Sequence, residues 1–193
     1  MYEIPTSIEI EGRQFPIRNN GDFRVILDCF QALGDTELDA RERLLAALII
    51  FYEDIDTPED LEKFPDLKKA TSEMYNFFSC GVEHVGTQSP GKLVDWELDS
   101  QLISSAVNKV CGFEIRSAPY VHWWTFMGYY TAIGECPFST IVGIRDKLLK
   151  GKKLEKYEKE FKRDNPHYFA WNSKSVEKSE ADRLAKELWN SGG

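Results

Sequence analysis

Residues 120–130 read Tyr-Val-His-Trp-Trp-Thr-Phe-Met-Gly-Tyr-Tyr, and this aromatic stretch is the most informative part of the chain for its fold class. Seven of its eleven residues are aromatic when the histidine is included, and it holds two of the chain's five tryptophans. Neighbouring positions on a helix point about 100° apart, so Trp123 and Trp124 cannot share one face. A helix that is apolar on nearly every face is either surrounded by other helices or covered by a partner. The stretch therefore predicts a helical protein whose aromatic helix is either core or binding surface.

The segments around this stretch predict a mainly α-helical single domain with a small N-terminal β-hairpin. Polar and apolar residues alternate over 7–11 and again over 14–18, and Gly12 lies between the two segments at the turn. We assign residues 1–165 to the helical domain, with a hinge at 81–93, where glycines cluster and large apolar groups are few. Residues 166–193 are predicted to form a polar C-terminal tail with a helix.

Cap residues predict where several of the helices begin. Thr36, with Asp39 three residues later, resembles a capping box for the second helix. Thr57, followed by a proline, is predicted to start a third helix that continues, with a break at Pro65, to residue 81. Pro119 is predicted to open the aromatic helix and Ser139 the next one. A charged helix is predicted over 154–163.

The composition limits the classes of function. At 193 residues with 42% hydrophobic content, the chain can bury a full core. Its formal net charge of −8 argues against a protein that coats nucleic acid, because such proteins need a basic footprint. No apolar run is long enough to span a membrane, and the N-terminus lacks the features of a signal peptide. We therefore expect a cytoplasmic protein with neither nucleic acid nor membrane as its partner.

No motif for catalysis, metal binding or a cofactor is found in the sequence. The acidic stretch 53–56 lacks the later glycine and glutamate of a calcium-binding EF-hand loop, and it suits a helix N-terminus instead. Cys80 and His84 have helical zinc spacing, but Gly81 breaks that geometry. His122 lies on an apolar face, where a histidine is usually neutral and hydrogen bonded. We predict no catalytic residue, metal or cofactor, although a dispersed site that joins His122 with distant glutamates would escape a motif search.

The segment 145–163 carries the one marked charge asymmetry of the chain. Nine basic and four acidic residues give it a net charge of +5, which leaves −13 for the rest. One interpretation is a solvated helix with pairs such as Glu155–Lys159 and Glu158–Lys162. The other is a docking surface for an acidic partner or for another copy of the chain. The candidate partner-binding side chains, aromatic and basic, are Trp123, Trp124, Phe126, Tyr130, Arg145, Lys147, Lys152, Lys153 and Lys156.

Four groups of residues resemble a known phage family. These groups are Asp95-Trp96-Glu97, Ala106-Val107-Asn108, Tyr120-x-His122-Trp123-Trp124-x-Phe126 and Phe138-Ser139-x-Ile141-x-x-Ile144-Arg145. Together with the N-terminal hairpin, they make the chain similar, over about residues 6–163, to the bacteriophage "gene product fifteen" family. Members of that family come from temperate phages and prophages of Gram-positive bacteria.

The resemblance implies a tail-morphogenesis gene that lies just before the gene for the tape-measure protein. Proteins at that position are typically tail assembly chaperones, which bind the tape-measure protein, help to recruit the tail-tube protein and are absent from the finished particle. We therefore expect a non-catalytic tail assembly chaperone that could form a homo-oligomer. A structural tail component retained in the virion and an enzyme with a dispersed acid-base site are the alternatives.

Overall fold

The computed structural model of the chain describes residues 3–82 and 92–169. Most of the hinge predicted at 81–93, and the helix predicted in the tail, lie outside these residues. The described residues form two compact units, one made of residues 3–82 and Pro119–Met127 and the other of residues 92–118 and 128–169. Helices dominate both units and a two-stranded hairpin lies at the N-terminal end, so the predicted fold class is confirmed.

The first unit begins with the predicted hairpin, in which β1 (Ser7–Ile10) pairs antiparallel with β2 (Arg13–Pro16). Glu11 and Gly12 form a two-residue turn with φ values of 48° and 79°. A tight hairpin turn of this kind requires positive φ at both central residues. The apolar side chains of the alternating pattern, among them Phe15, are buried. The alternation thus sets which face of the hairpin packs on the helices.

Helices α1 (Phe23–Gly34) and α2 (Ala40–Phe51) follow and pack on each other. At the start of α2, the Asp39 carboxylate accepts the Glu42 N–H and the Glu42 carboxylate accepts the Asp39 N–H, both at 2.8 Å. This exchange is a complete capping box. The box predicted between Thr36 and Asp39 is therefore wrong, because Asp39 is itself the cap and the helix begins one turn later.

A short 3-10 turn, Pro58–Lys63, and helix α3 (Leu67–Phe78) lie on either side of the break predicted at Pro65 in the third helix. The turn does start at Thr57, as predicted. The break at Pro65 is also confirmed, because proline has no N–H to donate and holds the residue before it in an extended conformation. Helix α3 then begins with a cap of its own, Asp66.

The second unit is built mainly from helices, which are α4 (Ser100–Cys111), the last residues of α5 (Trp123–Thr131), α6 (Pro137–Leu149) and α7 (Lys156–Asp164). Gly112, at φ 81°, ends α4 in the left-handed conformation that glycine adopts most readily. Short 3-10 turns lie at Ile115–Ser117 and Pro166–Tyr168. None of the helices in the described ranges is long and apolar enough to cross a membrane.

Helices α5 and α6 also begin away from their predicted positions. Helix α5 begins at Trp123 rather than Pro119, because the backbone of Val121 is hydrogen bonded to the N-terminal end of α1. Helix α6 begins two residues before Ser139, whose hydroxyl accepts the Cys136 N–H at 2.9 Å. In both places a hydrogen bond that the prediction did not include determines where the helix begins.

Candidate partner-binding surface

The two aromatic side chains of α5 that are most deeply buried belong to the core of the first unit. Trp123 is 1% exposed and its indole N–H donates to the Phe78 carbonyl at 3.0 Å. Phe126 is 2% exposed and its ring stacks on that of Phe23, with 4.6 Å between the centroids. Buried aromatic rings in such pairs stabilise the fold. Trp123 and Phe126, both candidates for partner binding, are therefore packing residues that a partner cannot reach.

The other two aromatic candidates, Trp124 and Tyr130, are half-buried. The Trp124 indole donates to the Phe77 carbonyl at 3.0 Å. In the second unit, the Tyr130 ring lies 5.3 Å from that of Trp96, and burial raises the pKa of its hydroxyl to about 12. Each of these side chains already has a packing partner within its own unit. The aromatic stretch is thus mainly a packing element.

His122 is buried, with both ring nitrogens occupied. Its Nδ1 accepts the Trp124 N–H at 3.0 Å, which requires an unprotonated nitrogen there, and its Nε2 lies 3.0 Å from the Pro5 carbonyl, to which it donates. Burial disfavours the charged ring and lowers its pKa below the ordinary value. His122 is therefore a neutral core histidine, as its apolar surroundings predict.

The acidic stretch near residue 56 is used within the fold. The Asp60 carboxylate accepts the N–H groups of Asp56 and Thr57 and forms an ion pair with Lys63 at 2.7 Å. The bond from Lys63 and these backbone donors lower the Asp60 pKa to about 2. His84, the second zinc ligand considered, lies outside the described residues. Within the described ranges, no three His, Cys, Asp or Glu residues form a group that could hold a metal ion.

Arg145 is buried inside the second unit rather than exposed on the basic segment. Its side chain is 5% exposed and forms a two-pronged ion pair with Asp99, which is fully buried, at 2.6 and 3.0 Å. The guanidinium also donates to the carbonyls of Leu93 and Tyr168. This arrangement joins α4, α6 and the turn after α7. Arg145, a partner-binding candidate, is therefore a structural residue, and the candidate surface does not include it.

The ion pairs predicted along α7, Glu155 with Lys159 and Glu158 with Lys162, do not form. Glu158 is buried and pairs with Lys147 at 2.7 Å, while its second oxygen accepts the Glu155 N–H at 2.8 Å. The Lys147 ammonium and that backbone donor hold the pKa of Glu158 below its usual value. Glu158 thus faces α6 instead of Lys162. As a result, Glu158 balances the charge of the partly exposed Lys147. Lys159 and Lys162, which were expected to be paired, have no ion pair with an acidic residue of the described ranges.

The exposed part of the candidate set lies in the connection after α6 and at the first residue of α7. Lys152, Lys153 and Lys156 are exposed, and no ion pair joins any of them to an acidic residue of the described ranges. Two exposed apolar side chains occur in the same segment, Leu148 at 40% and Tyr157 at 62%. We call these five residues the basic surface. It combines unpaired positive charge with apolar area, which suits contact with an acidic amphipathic partner.

The sequence did not point to Leu148 or Tyr157 as surface residues. Leu148 lies four residues after Ile144 and seven after Ile141, a spacing that predicts one buried helical face. The structure buries both isoleucines and exposes Leu148 at the last turn of α6. Periodicity within one helix cannot show where its packing partner ends, so the sequence holds no signal that distinguishes the exposed Leu148 from the two buried isoleucines.

Residues 1–169 match the family model described as "Bacteriophage Gp15 protein". The matched range covers far more than half of the chain and includes every residue that the structure describes. No curated protein and no solved structure matches the chain.

Proposed function

The chain belongs to the Bacteriophage Gp15 protein family, and we propose that it is a non-catalytic phage tail assembly chaperone. In this proposal it acts in the cytoplasm of the bacterial host and binds the tape-measure protein, the tail-tube protein or both. The resemblance implies a gene beside the tape-measure gene, and the proposed partner follows from this gene position. The unpaired basic surface supplies the observation that carries the proposal, because it gives this partner a place to bind.

Charge separation within the chain supports a binding role. The chain carries a formal charge of −8 overall, while Lys152, Lys153 and Lys156 have no acidic partner among the described residues. An acidic protein with a local positive surface attracts an acidic partner to that surface, while the rest of its charge keeps the complex soluble. A chaperone of a long, aggregation-prone protein needs both properties.

The apolar members of the surface give the contact its affinity. Leu148 and Tyr157 are exposed by 40% and 62%, and covering their side chains removes apolar area from water. Long amphipathic helices present apolar residues at helical spacing, flanked by charges, and bind to such surfaces by laying one face against them. A tape-measure protein is expected to be mostly helix of this type. We therefore place its binding at the basic surface rather than at the aromatic helix.

The proposal is tested by co-expressing the chain with the tape-measure protein of the same phage. Affinity capture followed by size exclusion with light scattering should yield a soluble complex of fixed stoichiometry. Reversing two charges, Lys152→Glu with Lys153→Glu, should weaken capture about tenfold or more at low salt. The matched control, Arg41→Glu with Lys109→Glu, reverses two exposed cations elsewhere and should leave capture unchanged.

Two outcomes would contradict the proposal. If the tape-measure protein remains insoluble and nothing co-purifies, with the tail-tube protein tested in the same way, the chaperone function is wrong. Detection of the chain at fixed copy number in purified virions would instead favour the structural-component alternative, because an assembly chaperone leaves before the particle is complete.

A further inference from the structure

A groove beside the second half of α7 has the chemistry of a peptide-binding site. It has a volume of about 520 Å³ and is lined by Leu154, Lys159, Lys162, Arg163, Pro166 and Phe169. Three of these side chains are cationic and the other three are apolar. We infer that this groove binds an acidic amphipathic segment of a partner protein, whose apolar side chains contact Leu154, Pro166 and Phe169 and whose carboxylates pair with the cations.

The cations of the groove are available to a ligand. No ion pair joins Lys159 or Lys162 to an acidic residue of the described ranges. Among the acidic residues of the described ranges, Arg163 pairs only with its neighbour Asp164. Both side chains are largely exposed, at 72% and 59%. Exposed pairs of this kind hold their partners weakly, so the guanidinium can turn to a carboxylate of a ligand. The positive charge of the lining therefore selects an acidic segment.

The wall of the groove is held in place before any ligand binds. Pro166 begins the 3-10 turn after α7 and Phe169 follows its last residue, and the Phe169 N–H donates to the Pro166 carbonyl at 3.0 Å. The Tyr168 carbonyl between them accepts two hydrogen bonds from the buried guanidinium of Arg145, at 2.8 and 3.1 Å. A preformed site loses less conformational entropy on binding than one that must order itself. The buried ion pair of Arg145 thus supports the groove.

A protein segment fits this groove better than nucleic acid does. Nucleic-acid binding needs a basic footprint over several phosphates, and the whole chain carries a charge of −8. Half of the lining is apolar, which suits the apolar face of a helix laid into a groove. The inference rests on the proposed function and deepens it by adding, beside the basic surface, a second contact on α7 at which an acidic amphipathic segment of the partner binds.

A synthetic probe tests the groove independently of the natural partner. A labelled amphipathic peptide of about 20 residues, with glutamates on one face and leucines on the other, is titrated with the full chain and followed by fluorescence anisotropy. The wild-type chain should bind it, and should not bind the same peptide with lysine in place of glutamate. Lys159→Glu with Lys162→Glu, and Phe169→Ala separately, should each weaken binding about tenfold. The control Lys109→Glu should bind as the wild type does.

Equal binding by the wild-type chain and both groove variants would overturn the inference, and so would no binding of the acidic peptide. Binding of a mixed-sequence DNA oligonucleotide that is lost in the Lys159→Glu and Lys162→Glu variant would overturn it in favour of nucleic acid. A failure here with intact capture of the tape-measure protein would leave the proposed function standing without the groove. Peptide binding without capture would contradict the named partner but support the groove.

Discussion

Replacing Arg145 with methionine removes the cation of the buried ion pair and leaves the fully buried Asp99 carboxylate without its charge partner. Removing one member of such a pair costs about 3–5 kcal/mol. The same change takes a hydrogen-bond donor from the Leu93 and Tyr168 carbonyls, each worth about 1 kcal/mol. Because these losses share one side chain, they do not simply add. We expect Arg145→Met to lower the free energy of unfolding of the second unit by about 4 kcal/mol.

The origin of that loss is tested by removing both charges. A buried ion pair is little better, and sometimes worse, than neutral groups of similar size, because both ions give up their hydration. Arg145→Met combined with Asp99→Asn should therefore unfold less readily than Arg145→Met alone, by about 1–3 kcal/mol. The asparagine oxygen can still accept the Asp95 N–H that Asp99 now accepts at 2.9 Å.

Urea unfolding with hydrogen exchange measured by mass spectrometry separates the two units. In Arg145→Met, amides of α4 and α6 should exchange faster while those of α1 and α2 stay protected. Lys150→Ala is the control, because its ion pair with Asp146 is exposed and should change stability by no more than about 0.5 kcal/mol. A loss below about 1 kcal/mol in Arg145→Met, or a double variant less stable than the single one, would refute the reasoning.

Three further predictions concern the first unit. Gly21 has a φ of +76° and an added Cβ would lie 2.8 Å from Phe77, so Gly21→Ala should lower the stability measured by urea unfolding by about 2–4 kcal/mol; an unchanged midpoint would contradict this. Since the pKa of His122 is lowered by burial, the unfolded chain binds its proton more readily. The contribution of the neutral His122 to stability is complete above about pH 6.5 and is lost as the pH falls. Urea midpoints measured between about pH 7 and pH 5 should show this loss. In His122→Gln, this part of the pH dependence should be absent. Burial also raises the pKa of the fully buried Cys29 thiol. A thiol reagent should therefore modify Cys29 only on unfolding and after the half-buried Cys80, and rapid native-state labelling of Cys29 would refute this.

Local features of the sequence predicted the local parts of the fold. The alternation over the first strands and Gly12 gave the hairpin, because side-chain period and turn conformation are properties of a few adjacent residues. Thr57 before a proline marked the start of a turn. The choice of Thr36 over Asp39 failed although the signal was local, because Asp39 is followed three residues later by Glu42 and the two form the capping box.

The candidate site could be predicted only in part. The excess of positive charge in residues 145–163 marked the segment, and three of its lysines are exposed without an acidic partner in the described ranges. The burial of Arg145 could not be foreseen, since its partner Asp99 lies 46 residues away in the sequence. Likewise, Glu158 pairs across helices with Lys147, eleven residues before it, rather than with Lys162 on its own helix. Pairing within one helix is a pattern in sequence, whereas pairing between helices is a result of folding.

The account depends most on the claim that the partner covers the basic surface. Amine labelling of the complex with the tape-measure protein, read by mass spectrometry and compared with the free chain, measures this directly. We predict that Lys152, Lys153 and Lys156 are labelled much more slowly in the complex, while the exposed Lys109 is labelled at the same rate. Equal labelling of all four lysines in the two states, or the absence of any complex to label, would contradict the claim.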